Sequence, residues 1–403
     1  MTQAAARPAL IVVAASFGFL VTQLDVTIVN VALDAIGAAF DAPMAALQWV
    51  VDAYVLALAA MLLSAGALGD RIGPRRVFVA GLVLFGLASA ACGLAAGPGA
   101  LIAARAAQGG LLVAALDWRW VFLVNLPLCA IGVALTLAVT PEAPPRARKP
   151  LDLPGQALAL IAVTALVGAV IEGGRRGWSH PGPLVALVVG ALAVAAFLWV
   201  EARSPHAVAP LSMFRQQSVS TAVLVGSALN FTYYGLVFVL GLYLQRAVGY
   251  GPEQAGLAFL PLTATFILSN LISGGLVARF GAARVTGAGV LIAAGGYALT
   301  ARLGAGSSFW EMLPGFALIP GGMGLAIPAL TSGLLASVDR SVAGAATGVL
   351  NACRQAGGAA GVAVFGALAA GGPERIVSGL RVSGVVAAVM LVGAAWVVGR
   401  RVR

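Results

Sequence analysis

Long apolar runs separated by short polar ones set the pattern of this chain. Apolar segments occupy Ala9–Leu33, Leu47–Gly66, Val77–Ala95, Arg119–Val139, Gly155–Ile171, Leu184–Val200, Ser218–Leu244, Ala255–Val277, Val285–Leu303, Met312–Ala336, Val342–Ala369 and Val382–Gly399. Each approaches the roughly 20 residues that an α-helix needs to cross a bilayer core, so the pattern predicts twelve transmembrane spans. A thirteenth run, Leu101–Leu116, is too short to cross comfortably and carries Arg105 near its start. The longest polar stretches are Pro141–Pro150 and Glu201–Gln217. They divide the chain into a first bundle at 1–140, a linker with two extra spans at 141–217, and a second bundle at 218–403. The predicted fold class is an all-α polytopic membrane protein.

Composition narrows the function. Of 403 residues, 61% are hydrophobic and only 9% are charged, against roughly 25% charged in an ordinary soluble domain. A soluble enzyme, a disulfide scaffold, a coiled coil and a disordered chain are excluded. The 52 glycines suit helices that approach closely in lipid through small residues. Cys92, Cys129 and Cys353 sit far apart in apolar runs, a pattern of neither disulfide nor metal chemistry. The net charge of +10 comes from basic groups scattered singly or in short clusters between apolar runs. That distribution fits a positive-inside bias and not the basic stripe of a nucleic-acid binder. Arg7 ahead of the first run has the outline of a signal peptide, but the run continues past Asp25 without cleavage context, so it reads as the first span.

The basic clusters also orient the chain. Arg71, Arg75 and Arg76 are followed by Arg146, Arg148 and Lys149, then Arg203 with Arg215, Arg279 with Arg284, Arg340, and finally Arg400, Arg401 and Arg403. Two apolar spans separate each successive pair, so all lie on one side if both termini are cytoplasmic; Arg175, Arg176 and Arg246 fall on the other. Between Arg76 and Arg146 the chain must cross an even number of times. Val77–Ala95 and Arg119–Val139 already supply two crossings, so Leu101–Leu116 is expected to be a short re-entrant or outer-leaflet helix.

One stretch repeats at an offset of 208. Gly66, Leu68, Arg71, Gly73, Arg76 and Val77 recur as Gly274, Leu276, Arg279, Gly281, Arg284 and Val285. Both copies are expected in a short loop between spans, where glycine permits a tight turn. Internal repeats of this kind mark many secondary transporters. The repeat also exposes a deficit. Arg284 to Arg381 covers 97 residues with three apolar segments, whereas Arg76 to Arg119 covers 43. The difference of 54 corresponds to about two spans with their loop, and the expected join is near Gly109-Gly110.

Several motifs in order resemble the major facilitator superfamily, specifically its fourteen-span drug:proton antiporter branch. They are Leu24-Asp25-Val26-Thr27-Ile28-Val29-Asn30 in the first span, Gln48-Trp49-Val50-Val51 with Tyr54 in the second, and Gly66-Ala67-Leu68-Gly69-Asp70-Arg71-Ile72-Gly73-Pro74-Arg75-Arg76 at the signature cytoplasmic loop. Leu101 to Gly109, with Arg105 and Gln108, resembles the start of the fourth span. Trp118-Arg119-Trp120-Val121-Phe122 with Asn125 and Pro127 resembles the entry to the sixth, and Asn351, Arg354, Gln355 and Gly357-Gly358 resemble the thirteenth. The Gly-Pro-Gly-rich antiport motif of the fifth span is absent, and Asp34 stands where relatives usually have proline. The resemblance implies two pseudo-symmetric bundles, a substrate bound near the midplane and exposed alternately to either side, and exchange for protons. It implies a small amphipathic or cationic substrate, no cofactor and no metal. A bacterial cytoplasmic membrane is the expected location, in keeping with 23 arginines to the single Lys149.

Candidate chemistry follows. Asp25 lies within an apolar run, where an ionised carboxylate costs roughly 2.5 kcal/mol or more; it either exchanges protons or binds a cation, or is a structural carboxylate near the outer interface. Asp52, three residues past Trp49, is open to a cavity role or to an interfacial place beside an aromatic belt. Arg105 is a proton-relay residue by resemblance, or snorkels to the interface. Arg354, deeper in its run, needs an acidic partner or a water-filled cavity. Gly66, Asp70, Arg71, Gly73, Arg75 and Arg76 form the expected cytoplasmic gate loop. Gly357 and Gly361, four apart, suit a helix-packing face, and Phe231, Tyr233, Tyr234 and Phe238 either pack or line a cavity. Enzyme chemistry finds no footing: His180 and His206 are in loops, and no glycine-rich phosphate loop precedes Lys149. The rival to transport is a remnant or scaffold derived from such an exporter.

Overall fold

The computed structural model describes residues 29–30, 32–107, 120–123, 125–140, 152–204, 211–339 and 342–400. Within them the chain is helical at 29–30 and 32–40, and thirteen helices follow. They are α1 (Met44–Ile72), α2 (Pro74–Gly93), α3 (Pro98–Ala107), α4 (Trp120–Leu123), α5 (Asn125–Val139), α6 (Leu153–Arg176), α7 (Pro181–Glu201), α8 (Gln217–Leu242), α9 (Pro252–Phe280), α10 (Ala282–Thr300), α11 (Phe309–Ser337), α12 (Ala343–Leu368) and α13 (Pro373–Arg400). No strand occurs among the described residues. Lipid explains the choice, because a helix satisfies its backbone groups internally where no water is available.

Eight of these helices are long and apolar enough to cross a membrane: α2, α6, α7, α8, α9, α10, α11 and α13. The eight do not include α12, although it has 26 residues. Its run is interrupted by Asn351, Arg354 and Gln355, which lower its apolarity and need partners in a neighbouring helix.

The chain forms two compact units, one of Met1–Ala57 with Ser64–Leu151, the other of Leu58–Leu63 with Asp152–Arg403. In the first, α2 packs against α3, α4 and α5. The Asn125 amide at the start of α5 donates to Ser89 Oγ of α2 (2.8 Å), and Ser89 donates to the Phe122 carbonyl (2.6 Å). In the second, α8 is the central element. It packs against α11, α12 and α13, and 78% of its most apolar stretch is buried, against 17% for α7. The exposed Leu184, Val185, Val188, Leu192 and Trp199 of α7 form an apolar surface suited to lipid. Helix α6 pairs with α7 and also touches α12.

Small residues set the closest approaches. A Cβ on Gly357 would lie 2.7 Å from the Ser227 carbonyl oxygen, and one on Gly361 would strike the Phe231 carbonyl. These two glycines therefore seat α12 directly on the backbone of α8. Gly289 and Gly322 do the same for α10 and α11.

The structure corrects the expected loop at the two repeat copies. Helix α1 runs through Ile72 and α9 through Phe280, so Gly66, Leu68 and Arg71, like Gly274, Leu276 and Arg279, are helical. One residue makes each turn: Gly73 at φ 97° and ψ 135°, and its counterpart Gly281 at φ 83° and ψ 150°. These are backbone angles that L side chains rarely adopt. The matching angles give the repeat a structural meaning, because each copy stops one helix and starts the next at a single glycine. The last helix also starts earlier than its apolar run, at Pro373, which makes Arg375 and Arg381 helical. Leu101–Leu116 is described only through Ala107, and the expected join at Gly109-Gly110 lies outside the described residues.

Nothing lies within 4 Å of a Cβ built on Gly281, so a substitution there reports on backbone strain alone. Gly281→Ala should destabilise the chain by about 1–3 kcal/mol and Gly281→Asn by a similar amount, since a ψ of 150° lies outside the left-handed helical region that asparagine tolerates. Thermal unfolding in detergent measures both, and an unchanged melting temperature for the alanine variant would refute the assignment.

Candidate functional site

Among the described residues each unit places an arginine at a helix contact, buried in the first and half-buried in the second. In the first, Arg105 on α3 is fully buried. Its Nε donates to the Val50 carbonyl of α1 at 3.0 Å. Its guanidinium carbon lies 4.7 Å from the centroid of the Tyr54 ring and 5.8 Å from that of Phe122. Ring faces attract a cation, most strongly where water is excluded. Val50 and Tyr54 are one helical turn apart and so share a face of α1. The Ser89 and Asn125 bonds described above hold the Phe122 backbone that carries the second ring.

Asp52 stands apart from that arginine. It is two residues beyond Val50, about 200° further round the helix. It is fully buried, and neither carboxylate oxygen has a hydrogen-bond partner among the described residues. The structure therefore does not bring Asp52 and Arg105 together, and both side chains are buried within the protein. Asp25 lies outside the described residues.

The gate loop is described in part. Gly66, Asp70 and Arg71 fall in the last turns of α1, and Gly73 makes the turn itself. Arg75 donates to the Leu137 carbonyl near the end of α5 at 2.9 Å. With Arg76, Val79, Ala80, Val83 and Leu137 it lines a groove of about 400 Å³. The side chains of Asp70 and Arg71 lie outside the described residues, and so does the ion network expected of them.

In the second unit, Arg354 is half-buried midway along α12. Its Nε donates to Asn230 Oδ1 of α8 at 3.2 Å, and its Nη1 to Asn351 Oδ1 at 3.3 Å. Asn230 Nδ2 donates in turn to Gln355 Oε1 at 3.2 Å. A Cβ on Gly226 would sit 2.9 Å from Arg354 Cγ, so that glycine makes room for the arginine stem. The acidic partner expected for Arg354 is not found among the described residues; amides take its place. Phe231 stacks edge-to-face on Phe365 with centroids 5.3 Å apart, and Tyr233 on Tyr234 at 5.7 Å. Phe238 is fully buried, which makes it packing.

Sequence reasoning missed Asn230. Its only signal is a single amide in an otherwise apolar run, which becomes meaningful once α12 is known to face it. Tyr54 and Phe122 were part of recognised motifs, but nothing in their spacing told of an arginine between them.

Comparison with known proteins now decides the family. The model of the Major Facilitator Superfamily matches residues 15–111 and 109–362. The chain belongs to this superfamily. It is 34% identical to the methylenomycin A resistance protein of Streptomyces coelicolor, over 88% of this chain and 84% of that one. It is 33% identical to the multidrug resistance protein Stp of Mycobacterium tuberculosis, over 90% of this chain and 76% of that one. A solved structure of a bacterial homolog of the human lysosomal transporter Spinster, inward-facing and unoccupied, shares the fold with a TM-score of 0.57. Its sequence identity is 17%, and the match covers 97% of this chain and 96% of the other. As a superfamily member this protein is a multi-pass membrane transporter, and its relatives are named for antibiotic and multidrug resistance, one from Streptomyces glaucescens as a tetracenomycin C resistance and export protein.

The ring contacts on Arg105 can be tested without touching the arginine. Tyr54→Leu removes the ring face and should lower stability by about 2 kcal/mol, the size of a desolvated cation–π contact, while Tyr54→Phe keeps it. Equal melting temperatures for the two variants in detergent would contradict that contribution.

Proposed function

We propose that this chain is a proton-driven exporter of small amphipathic molecules, of the fourteen-span antiporter branch but lacking most of two spans. Asp52 carries the reading. An ionised carboxylate in a dry apolar setting costs several kcal/mol unless it is paired, and both oxygens of Asp52 lack a hydrogen-bond partner among the described residues. Binding a proton removes that charge. A group whose charge is tolerated only when water reaches it couples proton occupancy to access, which is what exchange requires.

The other candidate residues take supporting roles in this reading. Asp25 is a second proton or substrate contact, and Arg105 positions α3 against α1. Arg354 faces substrate. Asp70, Arg71, Arg75 and Arg76 form a cytoplasmic latch, for which the Arg75 bond to the end of α5 gives support. Residues 1–140 and 218–403 act as the two moving bundles, with 141–217 between them in sequence. The membrane is the bacterial cytoplasmic one, with both termini inside, as the spacing of basic clusters suggests.

In inside-out vesicles, Asp52→Asn should slow pH-gradient-driven dye transport about tenfold or more while downhill exchange persists, the pattern of a lost coupling step. Full gradient dependence in that variant would end the proposed role.

One observation favours a second reading, a non-transporting remnant or scaffold. The alignment with the Streptomyces coelicolor relative is 401 positions long but includes 88% of this chain, about 355 of its 403 residues. About 46 positions of it thus face a gap, close to two spans. The two superfamily matches also meet at 109–111, at the expected join. Efflux by this chain should therefore be compared with efflux by the same chain after the missing helix pair is restored. The export reading expects measurable transport in both; transport only in the restored chain selects the remnant.

A further inference from the structure

The Arg354 cluster has a direction, and the guanidinium sets it. Arginine can only donate hydrogen bonds. The atom of Asn230 that faces Nε must therefore be its oxygen, and so must the atom of Asn351 that faces Nη1. With its oxygen committed, Asn230 turns its amide nitrogen to Gln355, which must then answer with Oε1. One arginine thus orients three amides, and all three amide oxygens are engaged within the cluster. The groups left over are donors. They are the second Nη1 hydrogen and both Nη2 hydrogens of Arg354, the second amide hydrogen of Asn230, and the amide hydrogens of Asn351 and Gln355. None of these has a partner among the described residues. Arg354, Asn351 and Gln355 are all half-buried, so the cluster is not sealed off from its surroundings. Arg354 forms no ion pair among the described residues, where Arg175 and Arg176 have Glu172.

A cation midway along a membrane helix, ringed by neutral acceptors and opening through donors, is the complement of an anion. We propose that this cluster is the substrate's anion-binding subsite, taking the carboxylate, phenolate or enolate oxygen of an amphipathic molecule. The inference rests on the export reading and sharpens its substrate class, away from the cationic substrate that the family resemblance implies. An anion completes the open hydrogen bonds and neutralises the Arg354 charge in one step. A cationic ligand would add to the charge and find every amide oxygen of the cluster already holding one donor. Gly226 belongs to the same device: any larger residue would press on the Arg354 stem and shift the guanidinium from Asn230.

Two probes of nearly one shape, 1-naphthoate and its neutral amide 1-naphthamide, test this by direct binding to the purified full chain in detergent. The unmodified protein should bind the acid about tenfold or more tighter than the amide, the ratio expected of a charge-assisted bond. Arg354→Lys should keep part of that preference and Arg354→Gln none. Asn230→Asp places a carboxylate on the guanidinium and should abolish naphthoate binding, with the melting temperature checking that the variant is folded. Equal binding of both probes by the unmodified chain overturns the proposal, as does binding of neither, or a preference that survives in Arg354→Gln. Binding is read without a proton gradient, so it is separable from export. A chain that binds naphthoate but moves neither naphthoate nor ethidium into inside-out vesicles fails the export reading alone. One that moves ethidium and ignores naphthoate fails this proposal alone.

Discussion

Where α12 crosses α8, the two backbones touch. Gly361 lies against the Phe231 carbonyl and Gly357 against that of Ser227, a separation that no larger residue allows. In lipid there is no hydrophobic force between apolar helices, so association relies on such packing and on interhelical hydrogen bonds. Here the first makes the second possible. Only with the axes this close does Arg354 reach Asn230, and Gly226 leaves the room that its stem occupies. Much of the second unit depends on this crossing, because α8 also carries the contacts to α11 and α13.

The two arginines solve the same problem in different ways. Arg105 is held within its own unit by a backbone carbonyl and two ring faces, among other contacts. Arg354 is satisfied by side-chain amides, which are mobile and can be shared with a ligand. The first arrangement suits a fixed strut; the second suits a site that opens and closes. Asp52 has no partner of either kind among the described residues, which is why the proposed proton exchange is placed there.

The helices were legible because lipid requires long apolar runs, and those runs locate most of them to within a few residues. The repeat was legible from Gly73 and Gly281, but its loop was overdrawn. Gly66 and Arg71 look like turn residues by type, whereas one left-handed glycine suffices and everything before it stays helical. Asp52 and Arg105 were found because any charge in an apolar run is conspicuous. What each touches was not legible, since a carbonyl partner such as that of Val50 leaves no mark in the residue pattern. Asn230 was missed for a related reason: its role depends on a residue 124 positions away, and only the packing of α8 on α12 makes them neighbours.

The modest apolarity of α12 bears on how the protein is made. A helix that carries an arginine at its middle enters a bilayer at a cost of roughly 2.5–3.5 kcal/mol for that residue. Helix α12 is synthesised well after α8, whose Asn230 is already available to receive the guanidinium. Entry of α12 into the membrane is thereby tied to a partner made earlier. The bond that orients the cluster in the finished protein also helps a reluctant segment leave the translocation channel.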